Sequence, residues 1–586
     1  MTIRIEDQDE RWPLLPFLLA SLGLITGLVA HFILGTGYQP QISAVRLALL
    51  SFVTVSALVF AFVAARDDLR RSIGFALGCG VVSALILYFN GATSDWGNTE
   101  GWRVFSLALA IGIAAPLFQA ARETGFRPIS YPLAYDHAWT NAILWCLGWA
   151  FVGVTLLLSF LLAALFQLIK IDFLNDLLQK QWFWRPLVGL AFGLGLALLR
   201  EHSRIVSLLQ NVGMLVLGVL APVLAIGLGL FLLALPITGL QPLWDATKST
   251  TPILLGCVVG ALLLVNAVLG NGADDAPRNR VLRWAALVLA IVIFPLAGIA
   301  AIATGLRIGQ YGFTPERLWA LTFVILATVV AVAYLVAVIR GRALWAERVR
   351  PANLHLAIIT CGVALLLATP ILSFNAISTR DQVARLESGR IAPDKFDWRA
   401  LAFEFGQAGR DALKKLQASA NPAIKAKADL AAKAENRWDV AEVDHSDARR
   451  RQVVANARVL PAGSTLPPAL IDAMVDNISC TSEGKCTVVL LPGGTEALVM
   501  MDWCYDRAAK GGEELAVNCG VEHRYLLAGG KWESVTYRPR IDRKDDAAKA
   551  AATKTGKAYQ AGQIEVRPVQ RRQVFVGGEP VGEAFE

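Results

Sequence analysis

A chain of 586 residues that is 55% hydrophobic and 17% charged, with a mean hydropathy of +0.50, lies outside the range of soluble globular proteins and inside that of multi-pass membrane proteins. Most of the +8 formal charge sits in the apolar part: residues 1–353 carry 24 Lys and Arg against 18 Asp and Glu, and the remainder 31 against 29. Nucleic-acid binding needs a basic face on a soluble domain, and the aqueous part is nearly neutral, so that class is excluded.

The N-terminal segment MTIRIEDQDERW holds four carboxylates and two arginines ahead of an apolar run. A cleaved secretory signal starts cationic and ends at a small-residue site, so Trp12 to Ile33 reads as a retained first span. Apolar runs of the length a bilayer demands then recur at Leu47 to Ala65, Ile73 to Phe89, Val104 to Ala120, Ala142 to Ile169 and Phe183 to Leu199. Met214 to Ile237, Pro252 to Leu269, Trp284 to Ala303, Leu318 to Val338 and Leu354 to Phe374 complete a set of about eleven. The sixth, Phe183 to Leu199, is short: it is counted as a span, with a broken or re-entrant helix as the alternative. With the N-terminus inside, the inner loops hold 16 Lys and Arg and the outer loops 8. That bias predicts a cytoplasmic N-terminus and, after an odd number of crossings, a periplasmic C-terminal part.

After Phe374 no apolar run is long enough to span. Residues 375–450 read as a helical segment, with Ser378 and Asp381 resembling a capping box and with Ala-, Lys- and Leu-rich runs such as AIKAKADLAAKAENRW. Residues 451–586 turn to short β-prone runs (CTVVLLP, EALVMMDWC, HRYLLAGGKWESVTYRP, IEVRPVQRRQVFV) and read as a small α+β domain with a polar tail. The stretch Arg543 to Lys557 reads as an exposed helix or a linker. The expected fold is thus an all-α membrane bundle over 1–374, the helical segment, then the small domain. Cys79, Cys146, Cys257 and Cys361 fall inside apolar runs, where a thiol behaves as a small hydrophobe. Cys480, Cys486, Cys504 and Cys519 fall within one short window of the aqueous part and read as two disulfides; three connectivities are open, and Cys480 with Cys486 and Cys504 with Cys519 is the favoured one. Zinc is the alternative; the spacings lack the two-residue knuckle, so no metal and no cofactor is expected.

The leading candidate for a functional cluster is GQYGFTPERLW in the outer loop before the tenth run. Thr314 as N-cap, Pro315 at the first helical position and Glu316 near the positive helix end give it a structural explanation. Functionally, Tyr311, Glu316 and Arg317 make a compact polar group suited to an anionic headgroup or a partner loop. The second candidate is YDHAWTN, where Asp136 caps the fifth span and His137 beside it is a weak acid–base pair. The trio Arg200, Glu201 and His202 reads as a solvated loop end. Lys170 to Pro186 reads as an amphipathic element lying in the outer interface, which makes membrane lipid a partner.

No Asp, Glu, Lys or Arg lies deep within the apolar runs, which disfavours ion-coupled transport. Pro116, Pro222, Pro295 and Pro370 and the Gly-rich LVGLAFGLGLALL permit kinks and close packing. None of the six histidines falls in an HExxH arrangement, and no P-loop pattern appears. A transferase acting on lipid-linked carriers also combines many spans with an external domain, but such enzymes carry an acidic residue in the first outer loop, and LGTGYQPQ has none.

YGFTPERLWAL, followed by a basic loop, a last span and NAISTRDQVARLESGRIAPDKFDWRALAFEFGQAGRDAL, resembles the bacterial domain-of-unknown-function family four-one-five-three, as does YDHAWTN. The resemblance runs to about Leu416 and leaves the cysteine-bearing tail unmatched. It implies a multi-pass protein of the bacterial inner membrane and adds weight to the Tyr311 cluster. The expected role is a non-enzymatic envelope scaffold or translocation component whose periplasmic domain meets an envelope protein, lipid or cell-wall material. The rival is a transferase using the outer loops with Asp397, Asp502 and His523, and a solute channel is a third reading.

Overall fold

The computed structural model describes residues 12–35, 41–126, 128–239, 250–272, 279–434, 449–477, 479–480, 485–503, 523–536, 554, 556–564, 572–576 and 579–585. The chain forms two compact units, Met1–Lys433 and Ala434–Glu586.

The first unit is an α-helical bundle with a helical cap. In chain order its helices are α1 (Leu15–Leu34), α2 (Ala44–Val63), α3 (Leu69–Phe89), α4 (Gly101–Glu123), α5 (Tyr131–Leu168), α6 (Phe173–Gln179) and α7 (Gln181–Glu201). There follow α8 (Ser203–Thr238), α9 (Thr250–Leu269), α10 (Arg280–Tyr311), α11 (Pro315–Gly341) and α12 (Trp345–Ala368). Among the described residues, ten helical runs are long and apolar enough to cross a membrane. The last of them, Pro315–Ala368, has 54 residues, far more than the roughly 20 that one crossing requires. It is two helices, α11 and α12, folded back on one another at the 3-10 turn Arg342–Leu344. Trp319, near the start of α11, packs edge-on against Phe374, just past the end of α12, with ring centroids 5.0 Å apart. Every apolar run of the sequence is therefore helical over most of its length, the last one leaving its helix after Ala368, and the protein is a multi-pass membrane protein.

The sixth run forms α7, an unbroken helix of 21 residues, which keeps it as a span and removes its broken or re-entrant alternative. It reads as short because its first turn is aromatic and polar, with Trp182, Trp184 and Arg185, whose guanidinium donates to Gly35 O at 3.1 Å. Backbone contact with α1 fixes α7. A Cβ on Gly189 would lie 2.1 Å from Gly23 O, one on Gly193 2.2 Å from Leu19 O, and one on Gly27 2.6 Å from Arg185 O. Gly23 and Gly27 on α1 thus face Gly189 and Gly193 on α7, two small-xxx-small pairs that let the backbones touch.

The helices alternate between two ends of the bundle. At the end where α1 begins, arginines from other helices close helix C-termini, whose last carbonyls have no partner within their own helix. Arg122 Nη1 donates to Val63 O at 2.7 Å and Arg200 Nη1 to Ala61 O at 2.6 Å, both at the end of α2. Arg350 Nη2 donates to Leu269 O at 2.8 Å and Gly272 O at 2.6 Å, at the end of α9. At the opposite end Ile42 N donates to Thr93 Oγ1 at 2.8 Å, joining the α1–α2 and α3–α4 connections, and Asn90 Nδ2 donates to Ala368 O at 3.1 Å, joining that region to the end of α12. Among the described residues, eleven helices long enough to span, α1 to α5 and α7 to α12, put the end of α12 at the bundle end opposite the start of α1.

The chain beyond α12 stays with this unit as α13 (Phe374–Glu387), a π turn Ala400–Glu404, α14 (Gly406–Leu416) and α15 (Pro422–Lys433). The N-cap of α13 is Ser373, whose hydroxyl accepts from Ala376 N at 3.2 Å. The pairing of Ser378 with Asp381 as a capping box is corrected: Ser378 is buried a full turn inside the helix, and Asp381 reaches another loop altogether.

The second unit is α+β. Its five-stranded sheet has the order β1 (Ala457–Leu460), β2 (Cys486–Leu490), β3 (Glu496–Met501), β4 (His523–Ala528), β5 (Lys531–Thr536), with β1 parallel to β2 and the rest antiparallel. Helices α16 (449–456) and α17 (Pro468–Asp476) supply Val453, Leu470, Ala473 and Met474 to a core completed by Val488, Ala497, Val499 and Tyr525 from the sheet. A disulfide joins Cys480 to Cys486, Cα to Cα 5.7 Å, tying the turn after α17 to the first residue of β2. Cys504 and Cys519 lie outside the described residues, as does nearly all of Arg543 to Lys557. A separate antiparallel pair, β6 (Arg572–Val576) and β7 (Glu579–Phe585), ends the unit.

Candidate functional site

The loop between α10 and α11 is held from two sides. Gly312 has φ 76°, and a Cβ there would lie 2.5 Å from Asp381 Oδ2 and from Arg385 Nε, so only glycine fits the turn. Thr314 is the N-cap of α11, its hydroxyl accepting from Arg317 N at 3.4 Å, and Pro315 opens the helix. Arg317 Nη1 donates back to Gly312 O at 2.9 Å, and its guanidinium lies 5.3 Å from the Tyr311 ring centroid. From the other side α13 grips the loop backbone. Asp381 Oδ2 accepts from Phe313 N at 2.8 Å, and Gln382 Nε2 donates to Tyr311 O at 3.0 Å and Phe313 O at 2.9 Å. Asp381 and Arg385 pair at 3.2 Å along α13. Tyr311 remains 53% exposed and Glu316 is exposed, so the cluster presents an aromatic ring and charge outward while its backbone is locked.

A second seat for the cap lies beside the first. Glu100 is buried; its Oε1 accepts from Asn375 Nδ2 at 2.7 Å and its Oε2 from Gly97 N at 3.0 Å. Asn98 N donates to Glu404 O at 3.0 Å, and a Cβ on Gly97 would lie 2.3 Å from that same oxygen. A buried carboxylate is costly unless its oxygens are hydrogen-bonded, and here each oxygen accepts from one donor. Neither Glu100 nor Asn375 stands out in the sequence; both belong to short polar stretches without spacing that marks chemistry.

Asp136 and His137 lie at the opposite end of the bundle, so the two candidate clusters are separate. Helix α5 starts at Tyr131, so Asp136 sits in its second turn and not at the cap. Its two oxygens accept from Asn271 Nδ2 at 2.9 and 3.0 Å. His137 Nε2 lies 2.8 Å from Glu123 Oε1. Next to them the structure holds a polar ring that a search for charged residues misses. Asn266 Nδ2 donates to Tyr334 Oη at 2.8 Å, Tyr334 Oη to Asn353 Oδ1 at 2.8 Å, and Asn353 Nδ2 to Asn266 Oδ1 at 2.6 Å, while Tyr135 Oη donates to Asn266 O at 3.0 Å. The ring ties α9, α11 and α12 together, with α5 attached.

The carboxylates of the transferase reading have structural partners. Asp397 Oδ1 accepts from Ala400 N at 2.9 Å. Within the second unit, Asp502 Oδ1 lies 3.1 Å from Thr487 Oγ1 and 2.5 Å from Tyr559 Oη; burial, then the bond to this carboxylate, holds the Tyr559 phenol above its ordinary range. His523 Nδ1 lies 3.1 Å from Ser534 Oγ. Among the described residues no three His, Cys, Asp or Glu side chains gather so as to hold a metal ion.

No curated protein and no solved structure is found to match the chain. Residues 48–425, well over half of the 586, match the model of a family described as Domain of unknown function (DUF4153), a span that opens within α2, closes within α15 and takes in both the Tyr311 loop and the α13 side chains that grip it. The chain therefore belongs to the DUF4153 family.

Proposed function

We propose that this protein is a non-enzymatic component of the bacterial cell envelope, a scaffold or translocation component of the inner membrane with its N-terminus in the cytoplasm and its C-terminal unit in the periplasm. The observation that carries the reading is the seating of the cap. The chain that leaves α12 is not a free tether: Asp381 and Gln382 fasten it to the α10–α11 loop, and Asn375 fastens it to Glu100. A rigid platform at one end of the bundle, continued in sequence by a disulfide-containing α+β unit, suits a protein that meets an envelope protein, lipid or cell-wall material there. The excess of arginine in the loops of the other end supports the orientation, and the Cys480–Cys486 disulfide supports an oxidising compartment for the second unit.

The alternative, a transferase on a lipid-linked envelope substrate, calls for carboxylates that converge on an open cleft. Asp397 and Asp502 are instead engaged by neighbouring groups of their own units. Fusing alkaline phosphatase or green fluorescent protein after Glu586 tests the reading. An active phosphatase fusion and a dark fluorescent fusion are expected; the reverse pair overturns the orientation and, with it, the periplasmic role.

A further inference from the structure

On α10 the apolar run Trp284 to Ala303 is 20 residues, about 30 Å of helix, which matches the hydrocarbon core of a bilayer. Arg307 lies four residues beyond it, about 6 Å farther along the axis, and Tyr311 one more turn out, so both stand at headgroup depth. They continue the stripe that lower down buries Ala300, Ala303 and Thr304, yet Arg307 and Tyr311 are exposed. Arg307 makes no hydrogen bond or ion pair among the described residues. Arg317 from α11 leans on the Tyr311 ring and donates to Gly312 O, Arg385 of α13 lies against Gly312, and Arg307 stands one helical turn before Tyr311 on α10. Three arginines from three helices are therefore gathered around the Tyr311–Gly312 turn. Two carboxylates face them: Asp381 is engaged by Arg385 and Phe313 N, and Glu316 adjoins Arg317 in sequence.

Like charges held together on a rigid frame are stabilised by an anion, and arginine clusters recognise phosphate through paired N–H donors. We propose that Arg307, Arg317 and Arg385, gathered around Tyr311, form a binding site for a phosphate group carried by the headgroup of an anionic lipid. The frame is fixed before any ligand arrives, since the Gly312 turn, the Thr314 cap and the α13 grip already set the arginine-bearing backbones. Only the identity of the leaflet rests on the envelope reading above; the site itself does not.

The test uses the full chain, purified in a neutral detergent and exchanged into nanodiscs containing phosphatidylglycerol, phosphatidylcholine or mixtures, with inorganic phosphate as a separate probe. Lipids retained by the protein are counted by native mass spectrometry, and thermal unfolding is followed in parallel. The wild-type chain should retain phosphatidylglycerol in preference to phosphatidylcholine. Arg307→Gln, which removes an exposed side chain with no bond to lose, should fold as wild type and weaken that preference about fivefold, the effect of one basic residue at a charged membrane surface. Arg317→Lys, which keeps the charge but loses the fork, should fall between the two. If inorganic phosphate alone stabilises the wild type and not Arg307→Gln, the phosphate site stands and its source is a soluble phosphate, which overturns the lipid assignment. If Arg307→Gln retains phosphatidylglycerol as the wild type does, or the wild type shows no preference and no response to phosphate, the site is overturned. Lipid retention together with a fluorescent fusion at Glu586 leaves the site standing and overturns only the envelope reading.

Discussion

The two halves of the bundle each have a buried side-chain core and differ in what they add to it. In lipid the hydrophobic effect gives helices little reason to associate, so packing and interhelical hydrogen bonds carry the load. Helices α1 and α7 meet backbone to backbone through Gly23, Gly27, Gly189 and Gly193. The half built from α8 to α12 has a conventional side-chain core around Leu289, Ile293, Leu296 and Val265, and adds the polar ring of Asn266, Tyr334 and Asn353. A glycine contact is intolerant of added volume and indifferent to polarity. A polar ring has the opposite sensitivity, and this difference makes the comparison testable.

The largest effect is expected from Gly189→Leu. Its first side-chain atom would fall 2.1 Å from a backbone oxygen of α1, which only a shift of the whole helix relieves, so a loss of about 3 kcal/mol or more is expected in an SDS unfolding titration of the purified chain. A wild-type midpoint would break the comparison, because the first half would then not depend on backbone contact. Next comes Arg350→Met, which keeps the volume of a buried side chain and strips the donor from Leu269 O and Gly272 O; about 2 kcal/mol should be lost in the same titration. Tyr334→Phe sharpens the comparison by deleting one oxygen from the polar ring, at a cost of about 1 kcal/mol, since interhelical hydrogen bonds in membranes average below that. Gly298→Ala is the control: nothing lies within 4 Å of the added Cβ, and a change within about 0.5 kcal/mol is expected. A large loss there would mean that glycine matters throughout the bundle and not at one helix pair.

What could be read in advance follows the same division. The apolar runs were legible because lipid imposes a length that composition alone reveals, and Thr314 with Pro315 marked the start of α11 because caps are local. The continuity of α7 was hidden by its polar and aromatic first turn, although the glycines that seat it stood in plain view. Asp381 misleads because a hydroxyl, Ser378, stands three residues before it in capping-box spacing, while its actual partner, Phe313 N, lies 68 residues away. Sequence patterns report neighbours along a helix, and that contact belongs to the tertiary fold. The ring of Asn266, Tyr334 and Asn353 escaped for a related reason. A search for polar function in a membrane looks for charge, and these three residues are neutral and widely spaced.

The arginines at the end where α1 begins have a consequence for biogenesis. In the folded bundle the guanidiniums of Arg122, Arg200 and Arg350 seal the bare carbonyls of α2 and α9, and under the proposed orientation the same residues belong to the basic excess that directs insertion. A segment inserted backwards would strand those cations across the membrane from the oxygens they serve. Such a segment would leave its helix ends open, with backbone carbonyls unpaired beside lipid.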